Sequence, residues 1–300
     1  MLYKEKHKRP IFWTLGTGHK KEEYHLTADL HVHSHYSDGS SSVEELIQMA
    51  SKKGLTHLSL VDHDTIRGIE SAKIAGEKHG ITVVPGIEIS AYDFSKNRKV
   101  HILGYSFDKN ATHIQELCDP LLSRRHENSL WQIHQLQGKE IDIKFAEVIE
   151  KAKMSGVIYK QHIMECLTKE DVNSRYYRQL YNRIFKGNGI CARDIEYVDA
   201  ISAVRAIKAD NGYAVLAHPG QLDSFDLIPE LAKNGLDGIE RNHVDHSEED
   251  KKRVEDYANE YALFQTGGSD FHGRYGNSVE IGEELSPTQH FELDLTQSRS

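Results

Sequence analysis

Short apolar runs alternate with amphipathic segments along most of the chain, and glycines often separate the two. Before residue 106 the apolar runs predict strands at Leu26–His31, Leu55–Val61, Ile81–Glu88 and Lys99–Tyr105. After residue 199 the same pattern predicts strands at Tyr213–Ala217, Leu236–Glu240 and Ala262–Thr266. Strands that alternate with helices usually pair in parallel and are covered by those helices. The pattern therefore predicts an α/β fold, and about seven strands favour a distorted barrel.

The segment after the first predicted strand carries strong helix signals. Ser42 stands three residues before Glu45, which is the spacing of a capping box. The apolar residues that follow repeat at helical spacing, at Val43, Leu46, Ile47 and Ala50. Gly54 then occupies a position that suits a left-handed helix end. A second helix is predicted at Ile66–His79, before Gly80.

Residues 108–198 interrupt this alternation with a mainly helical pattern. The predicted helices are Leu121–Gln137, Phe145–Lys153, Tyr159–Leu167 and Ser174–Phe185. We interpret them as a helical insertion within a barrel domain at residues 25–275, where it caps one end and selects substrates. Residues 1–24 and 286–300 show weak periodicity and are predicted to be peripheral arms.

Composition narrows the possible partners. The chain has 300 residues, 38% hydrophobic and 28% charged, which is ample for an independent core. Its net charge of −9 argues against a broadly basic surface, so double-stranded DNA is not an expected partner. A small phosphorylated substrate remains compatible with this charge, because bound cations reverse the local field. No obligate protein partner is indicated.

Cysteine usage and the first residues point to the cytoplasm. Cys118, Cys166 and Cys191 are odd in number, far apart and without a CxxC pair, so a disulfide framework is not expected. The charged, mixed first segment lacks an apolar run of the length of a signal peptide or membrane span. We therefore expect no membrane partner.

Imidazole and carboxylate side chains recur where predicted strands end. They lie in the strings HVHSHYSDG (31–39), VDHD (61–64), GIEIS (86–90), VHILGY (100–105), LAHPG (216–220) and GGSDFHG (267–273), and Glu240 ends another predicted strand. Nineteen histidines in 300 residues give roughly one His-x-His by chance, so the interpretation depends on the joint arrangement. Residues at the carboxyl ends of strands line the functional rim of an α/β barrel.

These residue types suit divalent metal ions, and their number exceeds the needs of one ion. His31 and His33 point to one face of a strand, and Asp29 on that face is placed to orient a ligand. Glu88 has two oxygens with which to bridge two metals. Simpler interpretations remain open, since Asp38 also fits a turn and His101 also fits a buried structural histidine. The pattern predicts a multinuclear, hydrolytic metal site.

In this order the six strings closely resemble the PHP (polymerase and histidinol phosphatase) superfamily, over about residues 25–275. Within it, the helical insertion and LAHPG are similar to the branch of nucleoside 3′,5′-bisphosphate phosphatases and RNA 5′→3′ exonucleases. The resemblance implies a TIM-like, distorted (β/α)7 barrel with three divalent cations at its mouth. Mn²⁺ is the first expectation, and Fe²⁺, Zn²⁺ and Mg²⁺ are alternatives.

The resemblance also implies a ligand set for each ion. The first ion would take His31, His33, Glu88 and Asp270. The second would share Glu88 and add His101 and an insertion histidine, for which we choose His162 over His126 and His134. The third would take Asp38, His63 and His272.

The implied activity is hydrolysis of phosphomonoesters by attack of a metal-bridging hydroxide on phosphorus. We expect small phosphorylated metabolites as substrates, either nucleoside 3′,5′-bisphosphates or short RNA 5′ ends. Histidinol phosphate is the alternative substrate, while metal-dependent amide hydrolysis and a non-enzymatic docking role are the competing functions.

Supporting roles are predicted for five further positions. His218 is expected to act as the general acid or to bind phosphate. Asp64 would orient a metal ligand or the nucleophilic water. Arg124, Arg125 and Lys160 are candidates for binding a second phosphate, although simple solvation also explains each of them.

Overall fold

The computed structural model describes residues 26–287, so the predicted arm at 1–24 and all but the first residues of the arm at 286–300 lie outside the described part. The strands are β1 (Ala28–Val32), β2 (His57–Leu60), β3 (Thr82–Val83), β4 (Gly86–Asp93), β5 (Arg98–Tyr105), β6 (Val198–Asp199), β7 (Tyr213–Leu216), β8 (Gly238–Asn242) and β9 (Phe264–Gly267). The helices are α1 (Val43–Lys52), α2 (Ile69–His79), α3 (Thr112–Gln137), α4 (Phe145–Lys151), α5 (Lys160–Leu167), α6 (Arg175–Phe185), α7 (Ala200–Ala209), α8 (Ile228–Lys233) and α9 (Glu248–Tyr261).

The strands form two sheets, and within the described residues they do not close into a barrel. One sheet has three strands in the order β1-β2-β3, and the other has six in the order β6-β4-β5-β7-β8-β9. Two isolated parallel bridges, Val32 with Phe271 and His63 with Glu88, connect the sheets. The mixed α/β class is confirmed, whereas the distorted (β/α)7 barrel is not.

Strand β5 departs from the predicted parallel arrangement. It pairs antiparallel with β4 on one side and with β7 on the other. The reason is local, because β4 ends at Asp93 and β5 begins at Arg98. The intervening residues form a hairpin turn, and a parallel crossover would need about a dozen residues or more.

The predicted strand Ile81–Glu88 is in fact two strands in different sheets. β3 pairs with β2, while β4 pairs with β5 and β6. Pro85 lies between them and has no N–H to donate to a ladder. Gly86 follows, where a Cβ would lie 2.2 Å from Ser59 Oγ. Glu88 therefore lies within a strand that continues to Asp93, and not at a strand end.

The first helix begins as its sequence predicts. The Ser42 side chain accepts from the Glu45 backbone N–H, and the Glu45 carboxylate accepts from the Ser42 N–H. The buried residues of α1 are Val43, Leu46, Ile47 and Ala50. This stripe packs against β1, β2 and α2.

Helices α3–α6 fall in the predicted insertion and have an apolar cluster of their own. Its buried members include Ile133, Leu136, Ile158, Ile163 and Phe185. Polar contacts connect these helices to the sheets, because Arg67 donates to the carbonyls of Met154 and Ser155 at 2.8 and 2.7 Å. The division into a barrel domain and an inserted cap stays a prediction.

A small core lies between the two sheets. Leu30 and Val61 on one side meet Leu103, Tyr105 and Val215 on the other, all fully buried. The Tyr105 hydroxyl donates to the Leu30 carbonyl at 2.8 Å, which ties β5 to β1. The interior is thus packed below the residues that form the candidate site.

The three cysteines are free thiols, in agreement with the sequence. Among residues 26–287, no helix combines the length and the apolar character that a membrane crossing requires.

Substitutions inside and outside the core should differ in their effect on the free energy of unfolding. Ile102 is fully buried in the cluster between the six-stranded sheet and its helices, whereas Ile74 on α2 is 63% exposed. Ile102→Ala should lower the free energy of unfolding by about 2–5 kcal/mol, through lost burial and a residual cavity. Ile74→Ala, the matched control, should change it by less than about 0.5 kcal/mol. Urea unfolding followed by circular dichroism measures both, and equal effects would contradict the assigned core.

Candidate metal centre

Glu88 lies at the centre of a cluster of histidines and is 1% exposed. Its Oε2 is 3.1 Å from His33 Nε2, 3.3 Å from His63 Nδ1 and 3.4 Å from His31 Nε2. Its Oε1 is 2.9 Å from His101 Nδ1 and 3.0 Å from His218 Nε2. The two oxygens therefore face two separate sets of imidazoles.

Asp270 completes the first set. Its Oδ1 lies 3.3 Å from both His31 Nε2 and His33 Nε2, which also approach Glu88 Oε2. A tetrahedral site with bonds of about 2.0–2.1 Å has its ligand atoms roughly 3.3–3.4 Å apart. The spacing of these side chains thus matches that of ligands around one ion.

Asp38 is the centre of a second set at the solvent side of the cluster. Its Oδ1 is 3.4 Å from His272 Nε2 and 3.7 Å from His33 Nδ1, and its Oδ2 is 4.0 Å from His63 Nε2. The structure therefore brings together Asp38, His63 and His272, the residues predicted to share an ion.

The two imidazoles nearest Glu88 Oε1 are those of His101 and His218, and His162 is not among the contacts of Glu88. Four overlapping groups have the geometry to hold a metal, and together their members are His31, His33, Asp38, His63, Glu88, His101, His218, Asp270 and His272. His162 belongs to none of these groups. Its Nδ1 accepts from the Tyr159 N–H at 3.2 Å, and its ring contacts Tyr159 and Tyr275. His218 instead stands beside His101, their ring centroids 5.1 Å apart.

Several buried ligand-type atoms have no hydrogen-bond partner among the described residues. They are His31 Nε2, both ring nitrogens of His33, Asp38 Oδ1 and His218 Nδ1. Buried polar atoms are normally hydrogen-bonded, so a concentration of unsatisfied ones indicates a missing partner. Imidazole nitrogens and carboxylate oxygens are donors for Mn²⁺, Fe²⁺ and Zn²⁺. The donor set therefore fits divalent metal ions.

The pKa values reflect the concentration of negative charge. Burial opposes the charged form of His33, but Asp270 and Glu88 outweigh it and raise its pKa to about 10. Burial also disfavours ionised Glu88, yet His101, His63 and His31 hold its pKa well below the usual range. At His63 burial prevails and lowers the pKa to about 4. The pocket thus attracts positive charge, which divalent cations supply.

Two buried carboxylates behind the cluster position its ligands. Glu240 Oε1 lies 2.8 Å from His31 Nδ1, and its Oε2 accepts from the His218 backbone N–H at 2.8 Å. Asp29, which was predicted to orient a ligand, contacts the backbone of His31 and not its ring. It accepts from the backbone N–H groups of His31, Ser269 and Gly282 at 3.2, 2.9 and 2.8 Å, so it orients β1 and the segment after β9. Burial raises the pKa of Asp29 to about 6.

Sequence reasoning missed the roles of Glu240 and His243. Glu240 was visible as a strand-end carboxylate, but nothing in the sequence shows that it pairs with His31. His243 Nε2 lies 3.3 Å from Asp270 Oδ2, and the side chain is fully buried. The only sign of His243 in the sequence is its position three residues after Glu240, a carboxylate at the end of a predicted strand.

Asp64 contacts a cation and a backbone N–H group beside the cluster. Its Oδ2 accepts from Arg125 at 2.7 Å, and its Oδ1 accepts from the Ser90 N–H at 2.7 Å. It therefore fixes the Arg125 guanidinium, and the predicted role in orienting a metal ligand or the nucleophilic water stays a prediction. Arg124 Nε donates to the Glu196 carbonyl at 2.8 Å, and Arg124 does not line the cavity beside the cluster.

A cavity of about 270 Å³ opens beside the metal-capable residues. Asp38, His63 and His101 line one side of it, and helices α3 and α5 supply much of the other. The cationic side chains in its wall are Lys99, Arg125 and Lys160. Burial lowers the pKa of Lys160 to about 8. The imidazoles and carboxylates of the cluster thus face three cationic side chains across a space of small-molecule size.

Comparison with known proteins agrees with this arrangement. The sequence profile of the PHP domain matches residues 29–261. The chain is 49% identical to a phosphoribosyl 1,2-cyclic phosphate 1,2-diphosphodiesterase from Eggerthella lenta, over 86% of this chain and 98% of that protein. It is 29% identical to a 5′-3′ exoribonuclease from Haemophilus influenzae, over 86% of this chain and 93% of that protein.

Two further similarities extend this comparison. A 3′,5′-nucleoside bisphosphate phosphatase from Chromobacterium violaceum is 27% identical, over 86% of this chain and 92% of that protein. A solved structure of a metal-dependent phosphoesterase from Bifidobacterium adolescentis superimposes with a TM-score of 0.79 at 26% identity, covering 88% of this chain and 93% of the other. The names of these relatives describe hydrolases of phosphoester bonds.

Because Glu240 contacts His31, we expect that loss of the Glu240 charge weakens the binding of metal ions. Glu240→Gln removes the charge that fixes the His31 ring, and it places an amide N–H against the His218 N–H. Loss of such an orienting carboxylate costs about 10–100-fold in metal affinity. We expect this loss when Mn²⁺ is titrated against a competing chelator.

Glu248→Gln is the matched control, because the Glu248 side chain is 88% exposed on α9. Its affinity for Mn²⁺ should equal that of the unaltered protein. Unchanged affinity in the Glu240 variant would show that Glu240 is not a positioning residue.

Proposed function

Because this chain belongs to the PHP domain family, we propose that it is a metal-dependent phosphoesterase whose substrate is a cyclic phosphate diester of a phosphorylated ribose. The assignment as a metal-dependent hydrolase is supported by the imidazoles and carboxylates around Glu88, some of whose buried nitrogens lack a hydrogen-bond partner among the described residues. These side chains lie beside a small cavity that is lined by three cationic residues. The observation that supports the substrate is the 49% identity to the Eggerthella lenta diphosphodiesterase.

We propose ligands for three divalent cations from the metal-capable groups and from the distances around Glu88. The first set is His31, His33, Glu88 and Asp270, the second is Glu88, His101 and His218, and the third is Asp38, His63 and His272. Mn²⁺ is the proposed ion, since mixed imidazole and carboxylate donors suit it. When bound, such cations lower the pKa of water and neutralise charge on the phosphoryl oxygens.

The proposed reaction has two hydrolytic steps. Water adds to phosphorus, one ring P–O bond breaks, and the sugar oxygen leaves as a hydroxyl, which gives a phosphomonoester. A second water breaks the remaining P–O bond and releases inorganic phosphate and ribose 5-phosphate. Both steps need the same groups around phosphorus, so one centre suffices for both.

The side chains around the cluster have positioning roles in this scheme. Glu240 holds His31, and the Gln161 amide donates to Asp38 Oδ2 at 3.0 Å. Asp64 holds Arg125 at the cavity wall, where the guanidinium faces the substrate space.

His218 replaces His162 as the proposed metal ligand. His218 is then not proposed as the general acid. It is 2% exposed, and burial lowers its pKa, so it is neutral at pH 7.

A second candidate is hydrolysis of nucleoside 3′,5′-bisphosphates or RNA 5′ ends, the substrates expected from the sequence. The exoribonuclease and bisphosphate phosphatase relatives support it at 29% and 27% identity. The cavity of about 270 Å³ favours a sugar phosphate over a long strand. The lower identities place this candidate second.

A substrate panel tests the proposal. Protein loaded with Mn²⁺ should release phosphate from phosphoribosyl 1,2-cyclic phosphate with a kcat/KM at least about 100-fold above those for adenosine 3′,5′-bisphosphate and histidinol phosphate. The measurement is phosphate release under initial-rate conditions. A higher kcat/KM for the bisphosphate would make the second candidate correct, and release from none of the three would reject both.

Asp38 tests the participation of the third ligand set. Asp38→Asn should lower kcat by at least about 100-fold, because it weakens charge neutralisation at the phosphoryl group. Asp142→Asn is the matched control, since Asp142 is exposed in the insertion. Unchanged turnover of a folded Asp38 variant would remove this set from the reaction.

A further inference from the structure

Lys160 is an unpaired cation in the wall of the cavity. It is the first residue of α5, and its side chain lines the cavity together with Lys99 and Arg125. Within residues 26–287 its ammonium forms neither a hydrogen bond nor an ion pair, and the Phe185 ring lies 5.9 Å from its Nζ.

The other two cations in this wall already have partners. Lys99 Nζ is 2.7 Å from Asp194 Oδ2 and 2.7 Å from the Tyr197 hydroxyl. Arg125 donates to Asp64 Oδ2 at 2.7 Å and to Ser90 Oγ at 2.9 Å. Lys160 therefore has the most capacity to bind an external anion, because a partly buried ammonium without a partner is costly.

The position of Lys160 is fixed relative to the candidate metal centre. Its neighbour Gln161 donates to Asp38 at 3.0 Å, and its other neighbour Tyr159 donates through its hydroxyl to the His63 carbonyl at 3.1 Å. The start of α5 is thus attached to the cluster on both sides of Lys160. An anion bound by Lys160 would lie at a set distance from a phosphate held at the cluster.

We infer that Lys160 binds a second phosphate of the substrate, the 5-phosphate of the ribose, and so selects doubly phosphorylated substrates. This inference rests on the proposed function for the identity of the sugar. The cavity is small, so a second phosphate attached to a pentose is an anionic group of suitable reach. Arg125 and Lys99 add positive potential around the same phosphate.

Paired substrates test this role by kinetics. Lys160→Met removes the charge and keeps much of the length, and Lys160→Arg restores a cation. Against phosphoribosyl 1,2-cyclic phosphate, Lys160→Met should raise KM at least about 30-fold with little change in kcat, because it removes a largely enclosed charge pair. Against ribose 1,2-cyclic phosphate, which lacks the 5-phosphate, the same variant should match the unaltered protein.

Lys153→Met is the matched control, because Lys153 is a surface lysine of the insertion whose side chain is 69% exposed. Its KM values should equal those of the unaltered protein for both substrates. Lys160→Arg should recover most of the lost affinity. Equal losses on both substrates after Lys160→Met would indicate a structural role and overturn the inference.

A binding measurement keeps the test independent of the proposed reaction. Calorimetric titration of the Mn²⁺-loaded protein with ribose 5-phosphate should show binding that weakens at least about 30-fold in Lys160→Met and not in Lys153→Met. Ribose alone should bind equally to all variants. If no cyclic phosphate is hydrolysed but this difference remains, the proposed substrate is wrong and the phosphate role of Lys160 stands. If ribose 5-phosphate binds equally well to the unaltered protein and to Lys160→Met, or binds to neither, the role of Lys160 is overturned, whatever the kinetics show.

Discussion

The buried carboxylate of Glu88 is the group on which the site depends. Its two oxygens contact nitrogens of five histidines, and almost none of its surface reaches solvent. An ionised carboxylate in such surroundings is stable only when positive charge and hydrogen-bond donors compensate it. Imidazoles that also face Asp38 and Asp270 cannot satisfy every carboxylate at once. Divalent cations shared between the carboxylates would resolve this conflict, and for this reason the proposed function gives the cluster more than one ion.

The fold places this group where its two sheets meet. The isolated bridge between His63 and Glu88 joins them on one side of the site, and the bridge between Val32 and Phe271 joins them on the other. Val32 lies between two of the candidate ligands, and Phe271 lies between two more. The segments that join the two sheets therefore also carry the candidate ligands. Binding of cations should stabilise the contact between the sheets, because a ligand that binds only the folded state favours that state.

The sequence predicted the parts of this site that local periodicity determines. His31 and His33 share a strand face, and Asp270 and His272 follow a strand end, so their convergence could be expected. Partners that are distant in sequence were less accessible. His162 was chosen by resemblance alone, and the structure shows it at the start of α5, outside the metal-capable groups. The contacts of Glu240 with His31 and of Asp64 with Arg125 join separate elements, and no spacing encodes them. The antiparallel pairing of β5 was not predicted, because the alternation of helices and strands elsewhere in the chain indicates parallel strands, whereas only a short turn separates β4 from β5.

In the proposed metal centre, Glu88 would be a ligand of two cations. Anomalous diffraction at the manganese edge, from crystals grown with Mn²⁺, tests it directly. We expect one peak near Glu88 Oε2 that His31, His33 and Asp270 also contact, and another near Oε1 that His101 and His218 contact, each about 2.0–2.2 Å from its ligand atoms. Peaks that leave Glu88 without a contact, or a single peak in the whole cluster, would contradict it.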